Sequence, residues 1–341
     1  MNSYDIIKKR DFSIDAYRFV AFFWVIMVHV YPPNVLIQIA YFNVPAMVFI
    51  SGLFSAKPFS GSFWDYMWHR AKRILIPMYI FILPGYLFPL YFAQYIGIVN
   101  AGLTLENILG CFVFYKPGMG YIWIFKVFLF LTFITPFILK LNDCIKSSFG
   151  WLIVVLCVIL VQQLLIVLKN NLPNDSLIYT FVDTYVLYLV GYAPFLMLGI
   201  RMKTHWYRTR NIKIIIPSLI LLILGAIAFI ISEGLPFDLS SFKYPPSSYY
   251  YIYGIGCSLL IWSCKPIINF ISKLRIAVFV GQNTNWIYLW HMPIVLLCNT
   301  FISNWLIKLV IVITIPVIIM ILQTNMVGYS KNEFLKRYFV G

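Results

Sequence analysis

Charged side chains are scarce in this chain. Asp, Glu, Lys and Arg together make up 11% of the 341 residues, and only 11 residues are acidic. A soluble domain carries about 25% charged residues, and a disordered chain contains few hydrophobic ones. Because 62% of the residues are hydrophobic, the composition excludes both classes. It predicts a polytopic membrane protein with no room for a large soluble domain.

Several widespread catalytic motifs are also missing. The sequence has no HExxH zinc motif, no P-loop, no GxSxG nucleophile turn and no GxGxxG dinucleotide motif. Zincin, P-loop and α/β-hydrolase chemistry therefore have no support. The six cysteines form no CxxC pair and lie mostly in or beside apolar runs. We interpret them as small hydrophobic residues and expect no metal site.

Apolar windows long enough to span a bilayer are abundant. The fold class they predict is an all-α integral membrane protein of about ten transmembrane helices, since no ten-residue alternating strands are present. The whole chain, residues 1–341, is expected to form one transmembrane domain. The ninth window is expected to be broken near residues 281–285. The windows fall at about 14–32, 35–56, 74–96, 121–139, 150–168, 178–200, 212–232, 249–264, 277–301 and 305–327.

Basic residues predict the orientation of these helices. Most of the 26 Lys and Arg residues fall in alternate connections, and cytoplasmic loops are enriched in such residues. We therefore expect both termini in the cytoplasm, and we interpret the net charge of +15 as topogenic rather than as a sign of nucleic-acid binding. The inner residues are Lys8, Lys9, Arg10, Lys57, Arg70, Lys72, Arg73, Lys140, Lys146, Arg201, Lys203, Arg208, Arg210, Lys213, Lys265, Lys273, Arg275, Lys331, Lys336 and Arg337. The outer ones are Lys116, Lys169 and Lys243, while Arg18, Lys126 and Lys308 lie within or beside windows.

The first window concentrates ionisable residues, which are costly in hydrocarbon unless they are paired or hydrated. Arg18 and His29 are 11 residues apart, which is about three helical turns or roughly 16 Å, so they lie on nearly the same face. Asp15 can favour the start of the helix, and Arg18 can reach the inner interface. His29 lies too deep for either explanation. It suits a general base, with a hydrogen bond between helices as the alternative.

Other polar groups allow two interpretations each. Arg70, Lys72 and Arg73 precede the third window, where they serve either topology and anionic lipids or the phosphates of a cytosolic cofactor. Ser51 lies beside a glycine of the close-packing kind. A second histidine, His291, lies in the ninth window. The outer loop at residues 242–251 is rich in Tyr and Pro, which is typical of an interfacial aromatic belt but also of a sugar-stacking surface.

Taken together, these motifs resemble the membrane-bound acyltransferase-3 family over nearly the whole chain. The similar segments are Asp15-x-x-Arg18-x10-His29, Pro45 through Ser51-Gly52, Arg70 through Pro77, Tyr121-Ile122-Trp123 through Pro136, and Gly281 through His291-Met292-Pro293. The chain departs from the family pattern at Ala46-Met47 and at Ile124, which bears on the substrate.

The resemblance implies transfer of an acyl group, usually acetyl, from cytosolic acetyl-CoA to a hydroxyl of a cell-surface polysaccharide or its lipid-linked precursor, within the cell (plasma or inner) membrane. An appended extracytoplasmic esterase-like domain, which some members carry, is expected to be absent. The alternative activity is that of a polysaccharide exporter. The implied catalytic residues are His29, Arg18 and Asp15; acetyl-CoA would contact Arg18, Arg70, Lys72 and Arg73; and Ser51, Trp123, Asn283, Tyr288 and His291 would line or support the acceptor site.

Overall fold

The computed structural model describes residues 12–56, 62–97, 104–115, 122–206, 212–233 and 238–340. Within these ranges the chain is helical apart from turns and an isolated β-bridge between Lys243 and Pro246. The predicted all-α class is confirmed for this part of the chain. Some residues used above lie outside the described ranges: Lys8, Lys9, Arg10, Lys57, Lys116, Tyr121, Arg208 and Arg210.

Seventeen α-helices follow one another along the described residues. Two π-helical turns, Ile82–Leu87 and Val182–Val186, continue α4 into α5 and α9 into α10. The helices are α1 Phe12–His29, α2 Asn34–Ala40, α3 Asn43–Ser55, α4 Phe63–Phe81, α5 Phe88–Tyr95, α6 Leu105–Val113, α7 Trp123–Cys144, α8 Ser148–Asn170, α9 Leu177–Phe181, α10 Leu187–Thr204, α11 Ile212–Glu233, α12 Ser248–Ser263, α13 Lys265–Ile271, α14 Arg275–Gln282, α15 Thr284–Phe301, α16 Trp305–Tyr329 and α17 Glu333–Tyr338.

Each of the ten predicted windows coincides with helix. In the described residues, seven helical stretches are long and apolar enough to cross a bilayer, and α12 with α13, bent by 68°, forms an eighth candidate. The seven stretches are Phe12–His29, Asn34–Ser55, Phe63–Tyr95, Trp123–Cys144, Ser148–Asn170, Leu177–Thr204 and Trp305–Tyr329. The remaining windows correspond to α11 and to α14 with α15.

Glycines set the closest helix crossing, that of α3 with α10. A Cβ atom on Gly199 would lie 2.0 Å from the carbonyl oxygen of Phe49, and one on Gly52 would lie 2.4 Å from that of Leu196. No side chain larger than hydrogen fits at either position without moving a backbone, which is how small residues bring membrane helices together. The close-packing interpretation of the glycine beside Ser51 is confirmed.

The outer surface of the bundle is apolar where a lipid bilayer would contact it. Leu156 on α8, Ile223 on α11 and Leu322 on α16 are each more than half exposed. Water would penalise such a surface, whereas lipid does not.

Polar side chains turn inward instead. Arg201, which the charge pattern assigned to an inner loop, is 0% exposed. Its guanidinium donates hydrogen bonds to the carbonyl oxygens of Ile145 and Lys146, both at 2.7 Å. Arg201 therefore holds the connection between α7 and α8 and is not a free loop charge.

Candidate active site

His29 and His291 meet inside the bundle. Nδ1 of His29 lies 3.0 Å from Nε2 of His291, and the two rings stack with centroids 5.1 Å apart. His29 is the last residue of α1. The helix ends there because Tyr31 adopts a positive φ of 52° and is followed by two prolines. His291 lies on α15 and is fully buried. The contact is a hydrogen bond between helices, the alternative that the sequence left open for His29, but the sequence did not name His291 as the partner.

The hydrogen bonds assign a role to each nitrogen of the neutral pair. A carbonyl oxygen can only accept a hydrogen bond, so Nδ1 of His291 donates to that of Tyr288. A neutral imidazole has one donor and one acceptor nitrogen, so Nε2 of His291 accepts. Nδ1 of His29 must then donate, which leaves the lone pair of His29 on Nε2. A base held in one tautomer by a second group is the arrangement that proton-abstracting sites use.

Aromatic and amide groups surround the two histidines. The ring of Tyr288 lies 4.5 Å from that of His291 and 6.3 Å from that of His29, centroid to centroid. Phe125 packs against Tyr288 from α7. The side chain of Asn299 donates to the carbonyl oxygen of His29 at 3.2 Å. Helix α15 thus supplies His291, Tyr288 and Asn299 around His29, and α7 supports Tyr288.

The other end of α1 packs against the break in the ninth window. Helix α14 ends at Gln282 and α15 begins at Thr284, as the sequence predicted. Arg18 donates to the carbonyl oxygen of Gly281 at 3.3 Å, and Gln282 donates to the carboxylate of Asp15 at 3.3 Å. Arg18 thus satisfies a carbonyl that the end of a helix leaves without an intrahelical partner.

Arg18 and Arg70 converge on the last turn of α3. The guanidinium of Arg18 lies 4.1 Å from the ring centroid of Phe54, and Arg70 donates to the hydroxyl of the next residue, Ser55, at 2.6 Å. Ser55 in turn donates to the carbonyl oxygen of Ser51 at 2.7 Å. The structure therefore brings together one arginine from the first window and one from the basic cluster.

Lys72 points away from Arg70. Lys72 follows Arg70 by two residues, or about 200° around a helix, and its ammonium lies over the ring of Trp68. It lines a surface depression of about 400 Å³ together with Arg337 of α17. Arg73 is exposed, and its carbonyl oxygen accepts a hydrogen bond from Asn285. The three basic residues do not share one face.

Asn283 belongs to the helix break. It is buried and donates to the carbonyl oxygen of Phe279 at 2.8 Å, which closes the end of α14. The inner end of α1, the helix break and the histidine pair together form the candidate site.

The profile of the acyltransferase-3 family, described as an acyltransferase domain, matches residues 11–323. The chain belongs to the acyltransferase-3 family. The match contains every candidate site residue from Asp15 to His291, and together with the apolar helices it supports a membrane acyltransferase. Neither the curated proteins nor the solved structures include a significant match.

Trp123 lies with two lysines in this acyltransferase-3 protein. The ammonium of Lys243 lies over the rings of Tyr41, Trp123 and Tyr244, at 5.1, 5.7 and 4.9 Å from their centroids. The ammonium of Lys126 lies 4.1 Å from the ring centroid of Tyr188. We name these six residues the lysine–aromatic cluster: Tyr41, Trp123, Lys126, Tyr188, Lys243 and Tyr244.

Lys243 is the member that sequence reasoning missed. It had been counted only as an outer-loop charge, yet it is 4% exposed, and burial lowers the pKa of its ammonium to about 7. The signal in the sequence was its place within the aromatic loop at residues 242–251, which folds onto the bundle with Tyr250 and Tyr251 buried.

Proposed function

We propose that this protein transfers an acyl group, most often acetyl, from cytosolic acetyl-CoA to a hydroxyl of a cell-envelope polysaccharide or its lipid-linked precursor. The observation that carries the proposal is the contact between fully buried His291 and part-buried His29, which lies on the same helix as Arg18 and roughly 16 Å from it. The protein would work in the plasma or inner membrane as one domain of about ten spans with both termini cytoplasmic.

His29 acts as the general base in this proposal. Its Nε2 takes the proton of the acceptor hydroxyl as the oxygen attacks the thioester carbonyl carbon. The carbon–sulfur bond then breaks, and the leaving thiolate takes the proton from the imidazolium, which restores neutral His29 and releases CoA. His291 does not exchange protons with substrate. It holds the Nδ1–H of His29 and so keeps Nε2 directed at the acceptor.

Arg18 and Arg70 hold the donor in the same scheme. A guanidinium offers several planar donors that suit phosphate oxygens, and these two arginines meet at Phe54 and Ser55. Asp15 positions the adjoining helix break through Gln282. Lys72, which points away from Arg70, and exposed Arg73 would contact the donor only at its cytosolic end.

The acceptor approaches from the opposite end of α1. Tyr288 and Trp123 supply the aromatic surface on that side, while Ser51 and Asn283 support the helices that carry the site. The proposed path thus runs from paired arginines to paired histidines, and the two substrates meet at Nε2 of His29.

Thermal stabilisation of the purified protein by acetyl-CoA tests the donor assignment. The expected result is saturable stabilisation that Arg18→Ala and Arg70→Ala lose and that His29→Ala keeps, because the arginines bind phosphate and the histidine does not. Transfer of radiolabelled acetyl groups to a glycan should be lost in His29→Ala. Stabilisation by a glycan and none by acetyl-CoA, in a folded sample, would favour an exporter instead.

A further inference from the structure

Three lysines are buried in the described part of the chain. Lys126 is 2% exposed, Lys243 4% and Lys308 6%. A buried ammonium is costly unless a partner compensates for the lost hydration. Lys126 and Lys243 lie over the neighbouring rings of Tyr188 and Trp123, so two such ammonium groups in one cluster require an explanation.

Neutral groups hold these lysines. The ammonium of Lys308 donates to Asn299 at 3.0 Å, while those of Lys126 and Lys243 lie over aromatic rings. In the described part of the chain, none of the three is within 4.0 Å of a carboxylate oxygen. Asp183, whose charge reaches Lys126, is itself bonded to Lys169 at 3.1 Å.

Acidic groups of the adjoining outer loop are also engaged. Asp238 accepts hydrogen bonds from Gln38 at 3.0 Å and from the backbone of Ser240 at 2.9 Å. The hydroxyl of Ser240 also donates to Asp238 and contributes most to lowering the pKa of its carboxyl, and these two bonds lower it further. Asp238 therefore stays ionised, but among the described residues it forms no ion pair with any of the three lysines, so a bound anion can pair with their ammonium groups directly.

Three aromatic rings lie together beside these lysines. The rings of Trp123 and Tyr244 meet edge to face at 5.1 Å, and Tyr188 lies 6.2 Å from Trp123. Aromatic faces pack well against the apolar C–H face of a pyranose ring, while lysines between them bind its charged substituents. The two groups together make a surface for an acidic sugar, whereas a neutral sugar would need only the rings.

We propose that the lysine–aromatic cluster binds an anionic acceptor, a glycan whose carboxylate or phosphate contacts Lys243 and Lys126 while its ring stacks on Trp123 and Tyr244. This inference rests on the proposed acyl transfer and names the substrate class of that same site. The bound anion supplies the countercharge that the two lysines lack, and it places a neighbouring hydroxyl near His29.

The test measures acetyl transfer by the full-length protein in lipid nanodiscs to three tetrasaccharides. One contains glucuronate, the second is the same glycan with its carboxylate reduced to an alcohol, and the third is the reduced glycan carrying a phosphate monoester. We expect the KM of the preferred acidic acceptor to rise roughly 10- to 100-fold in Lys243→Met, with a smaller change in kcat, because hydrogen bonds to charged groups are the strong ones. The two acidic glycans distinguish carboxylate from phosphate recognition.

Matched variants separate charge from packing. Lys243→Arg keeps the charge and should retain most of the preference for acid, whereas Lys126→Met should weaken it. Lys140→Met removes an exposed lysine of α7, 14 residues beyond Lys126 along the same helix, and should leave all three KM values unchanged. Equal transfer to acidic and neutral glycans, or equal losses on both in Lys243→Met, would overturn the inference.

The donor measurement keeps this inference distinct from the proposed function. Transfer to none of the three glycans by a protein that acetyl-CoA stabilises counts against an anionic acceptor. Failure of acetyl-CoA to stabilise the wild-type protein or any variant counts against acyl transfer itself.

Discussion

Removing the acceptor nitrogen of His291 should slow acyl transfer without weakening donor binding. In the wild-type protein, Nε2 of His291 accepts the Nδ1 proton of His29 at 3.0 Å. His291→Leu leaves that proton without its partner in a fully buried environment. An unsatisfied buried donor costs about 1–3 kcal/mol, and the ring of His29 is free to rotate or change tautomer to avoid that cost.

The expected loss follows from these energies. A cost of about 1–3 kcal/mol corresponds to roughly 5- to 150-fold in kcat. Loss of the base itself in His29→Ala should cost about 10²- to 10⁴-fold, the usual contribution of general-base catalysis. Because His291 acts only through His29 in this mechanism, the double variant with both His29→Ala and His291→Leu should be no slower than His29→Ala alone.

A conservative substitution separates orientation from packing. The amide oxygen of Gln in His291→Gln reaches the region of Nε2 and accepts the same proton, so this variant should recover most of the activity that His291→Leu loses. The assay is transfer of labelled acetyl groups, with thermal stabilisation by acetyl-CoA as the control for donor binding. Near wild-type kcat in His291→Leu, or losses that multiply in the double variant, would refute the role given to this pair.

Three further substitutions test the fold and its charges by thermal denaturation. Gly281→Ala places a Cβ 2.1 Å from a backbone oxygen of α1 and should lower the free energy of unfolding by about 1–3 kcal/mol. Gly328→Ala, with nothing within 4 Å, should be neutral or stabilising. Equal melting temperatures of the two variants would refute the close approach of α14 to α1. The pKa of Lys243 is about 7 in the folded protein against an ordinary 10.5, so between pH 7 and 10.5 the unfolded chain binds more protons than the folded one. The free energy of unfolding should therefore rise from pH 7 to 9, and it should rise less in Lys243→Met. Arg201→Met should cost about 1–3 kcal/mol for each carbonyl left unbonded, while exposed Lys140→Met should change little; similar stability of the two variants would contradict the buried role.

The helices were predictable because hydrophobicity alone selects them. Each predicted window contains helix, and the glycine-rich break in the ninth window lies between Gln282 and Thr284. Burial of single side chains was not predictable. The charge pattern treats Arg201 and Lys243 like any other loop cation, and only the folded chain shows what surrounds them.

The spacing within one segment of the candidate site was predictable, but the contacts between segments were not. The spacing of Arg18 and His29 follows from helical periodicity, so a single segment reveals it. The contact of His29 with His291 joins residues 262 positions apart, and a single sequence carries no signal for that distance. In the basic cluster, helical rotation separates the side chains of Arg70 and Lys72, which their adjacency in sequence does not reveal.

The position of His29 at the end of α1 has an electrostatic consequence for the proposed reaction. The carbonyl groups in the last turn of a helix lack intrahelical partners, and together they are equivalent to roughly half a negative elementary charge. In the proposed mechanism, the proton taken up by His29 creates a cation at that pole of the helix, where such a charge gains about 0.3–1 kcal/mol, and up to about 2 when partly buried. The helix therefore lowers the cost of the charged state through which the proposed transfer passes.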